Sequence, residues 1–564
     1  MNASIYRRCV LCSVVALYGL SPWAVCAQTA PNAGSLAPPT PRPSLPAPLT
    51  APAHELPYVT PTTGPRVTVY RFVFEGNTQI DSAVLQRVVS RYLDRTLGFP
   101  DLQAAADAVV HLYRDAGMVA RAVLPAQDVT EGVITIRIVE AVYAGVTFEG
   151  HASNRIDTAS IRRRFDTQIK PGSVLNTQTI DRAILLADDL PGVSVDGALR
   201  AGQEEDHTEL VVRSRDEPLV ESDVSSDNQG SRSTGRTRLN ANLILNSPLG
   251  WGESFTAQAM KTSGTQYVRA AASVPVGVNG WRVGVNTSVF SYRLVAPEFV
   301  SLNANGQSVT AGVELSYPIY RARLSNVYFL STFDHKQFVN DSSGANVSSY
   351  ASQVMGLGLS ANRSDQWLGG GFNSASLTWM TGQIDLTGSP NQSADALGAQ
   401  TQGHFNKVRY SVSRQQTLAP GWSFNGVITG QVANKNLDSS ERFYLGGANG
   451  VRAYPSSEGG GAEGSLATLE MRWVISQHYT LNAFHDSGAV RVNYNNQYPG
   501  ATTLNTFRLS GNGLGLSWFG EKGATVRATV ARRIGDNPNA TSAGKDQDGS
   551  LLRNRVWVSL QVPF

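Results

Sequence analysis

Polar and apolar residues alternate along most of the C-terminal part of this chain. In one run Leu239, Ala241, Leu243 and Leu245 alternate with Arg238, Asn240 and Asn242; in another Leu469, Met471 and Trp473 alternate with Thr468, Glu470 and Arg472. Ala524, Val526, Ala528 and Val530 do the same against Thr525, Arg527 and Thr529, and Val556, Val558, Leu560, Val562 and Phe564 form one last apolar face. A period of two puts each set on one side of a sheet. The repeating unit is about ten residues, the length a tilted strand needs to cross a bilayer. Arg, Glu and Asn on the opposite face suit a wet lumen, and about 16 such segments fit into residues 219–564. The expected fold is therefore a transmembrane β-barrel of about 16 antiparallel strands. A soluble β-sandwich is the alternative; the number of segments in one uninterrupted block argues against it.

Residues 66–218 follow a different rhythm, strand, helix, helix, strand, strand, and they follow it twice. In the first copy (66–141) Val67–Phe74 is an expected strand, Asp81–Tyr92 and Asp101–Asp115 are helices, and Val119–Leu124 and Val133–Val139 are strands. Leu102, Ala106, Val109 and Tyr113 make an apolar stripe at helical spacing. In the second copy (142–218) the strands are Gly145–Phe148, Val193–Leu199 and Glu209–Arg215, with helices over Asp157–Phe165 and Gln178–Leu190. Each opening strand ends in the same tripeptide, Phe74-Glu75-Gly76 and Phe148-Glu149-Gly150. A repeat of about 74 residues predicts two small α/β modules in tandem.

Upstream, residues 1–27 read as a secretory signal: Arg7 and Arg8, the apolar run Cys9 to Leu20, then Val25-Cys26-Ala27 before cleavage. Residues 28–65 hold eleven prolines and read as an extended, semi-rigid linker. All three cysteines, Cys9, Cys12 and Cys26, fall in the leader, which excludes a disulfide or thiol chemistry from the mature chain. The full chain carries 47 Lys and Arg against 44 Asp and Glu, and loss of Arg7 and Arg8 leaves 45 against 44. That balance gives no reason to expect nucleic acid.

No catalytic constellation, metal-ligand spacing or cofactor motif emerges. Gly511-Asn512-Gly513-Leu514-Gly515 lacks dinucleotide spacing and lies beside an expected strand, so it reads as a turn. The sharp feature is a long Gly-rich loop, 434–465, containing Gly450-Val451-Arg452-Ala453-Tyr454. On the later strand Tyr479–Asp486, Tyr479, Leu481 and Ala483 occupy the apolar face, so Phe484 and Asp486 point into the lumen and His485 points out. Asp486 is then a natural carboxylate partner for the Arg452 fork. The other reading is a mobile external loop with a solvated arginine, and the pattern alone leaves both open.

These residues resemble a known family. The two Phe-Glu-Gly modules resemble POTRA domains, and Val451-Arg452-Ala453-Tyr454 is similar to the Val-Arg-Gly-Tyr loop of the outer-membrane assembly-factor superfamily. Ser226-Asp227-Asn228-Gln229-Gly230, Thr234-Gly235 and Asn246-Ser247-Pro248-Leu249-Gly250-Trp251-Gly252-Glu253 resemble the start of the barrel in two-partner secretion transporters. The resemblance implies export of one large β-helical exoprotein (a haemolysin, an adhesin or a contact-dependent toxin), recognised through its N-terminal secretion domain, across the outer membrane of a Gram-negative cell. It implies POTRA modules in the periplasm, contact with outer-membrane lipid, barrel assembly machinery acting on a C-terminal signal ending in Phe564, and no cofactor. It maps the family's loop arginine and strand aspartate onto Arg452 and Asp486. Two departures are Ala453 where Gly is usual, expected to alter the loop tip, and the prolines of 28–65, which leave no obvious plug helix. An exposed sheet edge is the expected capture site, with Met118, Val119, Ala120, Arg121, Ala122, Val123 and Leu124 as candidates and Val193–Leu199 as the alternative edge. A barrel-assembly insertase and a passive porin or receptor remain the competing functions.

Overall fold

The Phe-Glu-Gly tripeptide ends a strand in each module because its glycine takes a conformation other residues resist. Gly76 has φ +82° and Gly150 φ +89°. At Gly76 a side chain would also strike the carbonyl of Ile138. A computed structural model describes residues 30–41, 66–150, 153–204 and 206–564 of the chain. The leader expected at 1–27 lies outside them, as do residues 42–65 of the expected linker.

In the first module Arg71–Glu75 runs parallel to Val133–Glu140, which pairs antiparallel with Ala120–Val123. The helices Ser82–Val89 and Phe99–Asp115 cover this sheet, burying Leu85, Val89, Leu102, Ala106, Val109 and Tyr113 against Phe72, Ile134, Ile136 and Ile138. The expected strand Val67–Phe74 is two strands, broken at Tyr70, because the amides of Tyr70 and Arg71 both donate to the carbonyl of Gly132. The first piece, Arg66–Val69, pairs instead with Arg95–Gly98, a strand the alternation did not reveal. The second module repeats the plan with Val142–Phe148, Val193–Ala201 and His207–Asp216. Asp157 and Asn176, placed inside or beside the expected helices, cap Thr158–Gln168 and Thr177–Asp188 by accepting from backbone amides.

From Val220–Asp227 to Asn554–Pro563 sixteen antiparallel strands form a closed barrel. The first and last strands close it, with Asp227 opposite Ser559 and Asp223 opposite Pro563. Leu239, Leu243, Val530, Val556, Val558 and Leu560 face outward and are exposed, as a lipid-facing band must be. Asn240 and Asn242 turn inward onto Ser225, Asp227 and Asp223. Strands reach 21 residues at Ala345–Asp365, well beyond the ten-residue unit, so the wall is taller than a bilayer core requires. Among the described residues no helix is long and apolar enough to cross a membrane.

The second module grips the barrel rim. Arg321 makes a bidentate pair with Asp189 (2.8 and 3.0 Å), and Arg323 contacts Asp181 at 2.7 Å. The first and second modules are stitched together where Val119 donates to Leu175 and Thr177 to Gly117. That corrects the candidate edge 118–124. Met118 is half-buried against the module core and bridged to Asn176, Val119 is spent on the junction, and the strand proper is Ala120–Val123.

Candidate functional site: a loop latched inside the barrel

The long loop folds back into the lumen because its sequence supplies both small residues and an anchor. A short ribbon pairs Phe443–Tyr444 with Gly460–Gly461. Beyond it Leu445, Val451, Ala453 and Tyr454 are fully buried against Leu466, Phe484, Val490, Phe507, Leu509 and Ala531 of the wall. Ala453 does not use the left-handed region, and it packs opposite Gly511, where no side chain competes for the space. The expected distortion at the tip is therefore absent: the backbone there suits any L residue.

Arg452 reaches the wall at four points. Its backbone amide and Nε donate to Asp486 Oδ2 (3.0 and 2.9 Å), Nη2 to Asp486 Oδ1 (2.8 Å), and Nη1 to Glu470 Oε2 (2.9 Å). The guanidinium lies over the Phe484 ring, 3.3 Å from its centroid. Asp486 has no solvent exposure and takes a further bond from Thr468 Oγ1, while Arg472 Nε holds Glu470 at 2.6 Å. On the other side Trp557 Nε1 donates to the carbonyl of Arg452 at 2.7 Å, fixing the tip to the last strand. The fork geometry orients one arginine on two carboxylates at once, which a lysine cannot do. His485 points outward and pairs with Asn512 at 2.6 Å. Glu470 and Trp557 escaped the sequence reading. Glu470 was visible only as one polar residue on a lumenal face, two positions from Thr468 on the same strand.

The descending limb is anchored separately. Glu458 accepts from Gln547 N (2.8 Å) and Asn537 Nδ2 (3.1 Å) of the loop before the last strand. Asp546 in that loop is clamped by Arg533 and Arg555.

The N-terminal segment also lies in the lumen, which corrects the reading of 28–65 as linker throughout and the expectation that no helix enters the pore. Ala33–Leu36 forms one helical turn, capped by Asn32 Oδ1 on Ser35 N at 3.0 Å. The prolines do not prevent this, since Pro31 precedes the cap and Pro38 follows the turn. Ala33, Leu36 and Ala37 pack on an apolar wall that includes Tyr267, Phe290, Phe338, Tyr350 and Phe405. A cavity of about 450 Å³ remains beside the segment. Another of about 690 Å³ lies below it, lined by Pro41 and by Arg164, Asp189 and Leu190 of the second module.

Residues 206–518, more than half of the chain, match the family model of the haemolysin secretion/activation protein ShlB/FhaC/HecB, and residues 67–141 match the ShlB-type POTRA domain. The heme/hemopexin transporter protein HuxB of Haemophilus influenzae is 25% identical over 505 residues, 88% of this chain and 87% of that one. The outer membrane transporter CdiB of Dickeya dadantii is 23% identical over 482 residues, 82% and 81% of the two chains. The structure of CdiB from Escherichia coli superposes with a TM-score of 0.68 at 21% identity, covering 89% of this chain and 91% of that one. BamA from Haemophilus ducreyi lacking POTRA domains 1–3 shares the fold at a TM-score of 0.52 and 14% identity, covering 88% and 100%. With a closed sixteen-stranded barrel, a POTRA match and a lumenal loop in place, the chain belongs to the haemolysin secretion/activation family, the two-partner secretion transporters of the outer membrane, with its POTRA modules in the periplasm.

Proposed function

We propose that this transporter captures an unfolded exoprotein at the open edge of Ala120–Val123, threads it through the barrel as the Arg452 loop rearranges, and releases it to fold outside. The observation that carries this reading is the occupied lumen: residues 30–41 and the loop, which spans 434–462 because 463–465 already belong to the wall strand Glu463–Val474, both sit where a passing chain must go. A passive porin has no use for two removable occupants held by separate contacts. Val123 is 42% exposed on its edge strand, and edge pairing binds an extended chain through its backbone with little demand on sequence. In the second module the corresponding edge is partly taken, since Val195 N donates to Asp188 Oδ1 at 2.8 Å, which favours the first.

Folding of the exoprotein at the surface supplies direction, because a folded product cannot slide back. The partner is a large secreted protein with an N-terminal secretion domain. One relative is a heme/hemopexin transporter, which places a protein for heme or hemopexin among the candidate cargoes beside a haemolysin, an adhesin or a contact-dependent toxin. The Leu and Val band is the contact with outer-membrane lipid, and the C-terminal strand ending in Phe564 is the handle for the barrel assembly machinery.

The test compares proteins in the medium and at the surface with and without the gene. Loss of one large protein, restored by the intact gene, is expected. An unchanged secretome with many barrels depleted from the membrane points to an insertase and overturns the proposal.

A further inference from the structure

We propose that Glu441 is a second latch of the lumenal loop, and that it couples the loop to the N-terminal segment. The inference rests on the reading above, in which both occupants leave the pore for export. Glu441 lies at the base of the loop, on the turn Ser439–Glu441, and is 2% exposed. Its carboxylate accepts from Lys407 Nζ at 2.6 Å and Lys336 Nζ at 3.1 Å, from two different strands of the wall. Lys407, itself 1% exposed, donates again to the carbonyl of Glu441 at 2.8 Å. That carbonyl also accepts from Gln431 Nε2 (3.0 Å), which reaches Ala462 on the other limb of the loop (2.9 Å). Arg409 Nε holds the same Gln431 side chain at 2.7 Å. The partners of this cluster are distinct from Asp486 and Glu470, so the base and the tip are fastened independently.

The same turn builds the seat for the N-terminal segment. Ser439 Oγ donates to Asn32 Oδ1 at 2.9 Å. Asp438 caps the turn through Ser440 N (2.9 Å) and accepts from Tyr350 Oη (3.1 Å). Gly34 sits so close that a Cβ there would lie 2.6 Å from Ser439 Oγ and 3.0 Å from Tyr350 Oη. From the opposite side Ala33 N donates to Asn340 Oδ1 at 2.8 Å, and Asn340 is held in turn by Tyr292 Oη (3.0 Å) and Ser348 (2.9 Å). One wall of the seat is therefore fixed barrel, and the other is the turn that carries Glu441. Withdrawing Glu441 from the two lysines removes that second wall. A buried ion cluster has no intermediate resting place between paired and solvated, so the base of the loop behaves as a two-position element.

The test uses Ser35→Cys, a near-isosteric change in a chain whose three native cysteines all precede residue 27. The full-length protein is reconstituted in vesicles, and the rate of labelling by a membrane-impermeant maleimide is read together with channel conductance. In the native background the thiol is expected to label slowly. Glu441→Gln leaves Lys336 and Lys407 facing each other without their anion, and labelling is expected to rise at least tenfold with longer open times. Gly34→Val, which expels the segment by contact while leaving the lysines paired, sets the rate for a free segment. Barrels that migrate as folded in unheated gels yet label at the native rate with unchanged conductance in Glu441→Gln overturn the coupling. If that variant does not assemble, Lys407→Met answers the same question with the same readouts. Neither readout requires cargo, so failure here is separate from failure of the exporter reading, which is decided by the secretome.

Discussion

Arg452→Ala tests the tip of the loop. The side chain makes three hydrogen bonds to two carboxylates and lies over Phe484. Removing one member of a buried ion pair costs about 3–5 kcal/mol, because the partner is left buried and unpaired. Asp486 keeps the backbone amide of residue 452 and Thr468 Oγ1, and Glu470 keeps Arg472, which places the loss at the lower end. About 3 kcal/mol shifts the latched-to-released equilibrium roughly 100-fold toward release. A loop without a defined docked position no longer starts each export cycle from one register, so export of the exoprotein should fall at least tenfold. Arg452→Lys keeps the charge without the fork and should fall between the two. The assay quantifies secreted exoprotein against heat-modifiable, assembled barrel in the outer membrane. Assembled Arg452→Ala barrels that export at the native rate refute the latch.

The remaining predictions concern the periplasmic modules. Val123→Asp puts a charge on the proposed capture edge; as a surface change it should alter stability by less than about 0.5 kcal/mol. Binding of the exoprotein's secretion domain, followed by calorimetry, should nonetheless weaken at least tenfold, and unchanged binding moves the capture site elsewhere. Gly76→Ala should cost more than Gly150→Ala, since both have positive φ but only Gly76 has a carbonyl where the methyl would go; hydrogen exchange across each module measures the difference. Burial raises the Glu140 carboxyl, but bonds from Thr78 Oγ1, the Thr78 and Gln79 amides and Tyr113 outweigh it and hold the group below the usual carboxylate range. A depressed folded value means that the stabilisation is complete above the unfolded pKa and disappears as pH falls through the folded one. Glu140→Gln should therefore loosen the first module at neutral pH by about 1–3 kcal/mol, and the gap to the native protein should close on acidification, as read by local hydrogen exchange.

What the linear pattern carried was whatever depends on neighbours in sequence. A period of two, sustained over a long block, announces a sheet with one wet and one greasy face, and Phe484 and Asp486 fall on the wet face by counting alone. Glycine after Phe-Glu marks a turn because its backbone conformation is a local requirement. Asp157 and Asn176 sit at helix starts for a similarly local reason. The strand Arg95–Gly98 was missed because four residues between two helices show no period.

The tertiary structure decided everything that depends on which wall faces which. Arg452 and Asp486 are 34 positions apart, Glu441 and Lys407 also 34, and Ala33 and Asn340 307. No local pattern encodes those meetings; they exist because closing sixteen strands into a ring brings distant polar faces around one enclosed space. Prolines 31 and 38 bracket a turn that the composition of 28–65 disguised as spacer. Its place in the pore follows from an apolar wall assembled from strands far apart in the chain. The sequence by itself determined the barrel, its two modules and which face of a barrel strand a polar residue occupies. Only the closed barrel determined its partners, because a buried charge or amide is satisfied by proximity in space and the chain does not specify that until it is folded.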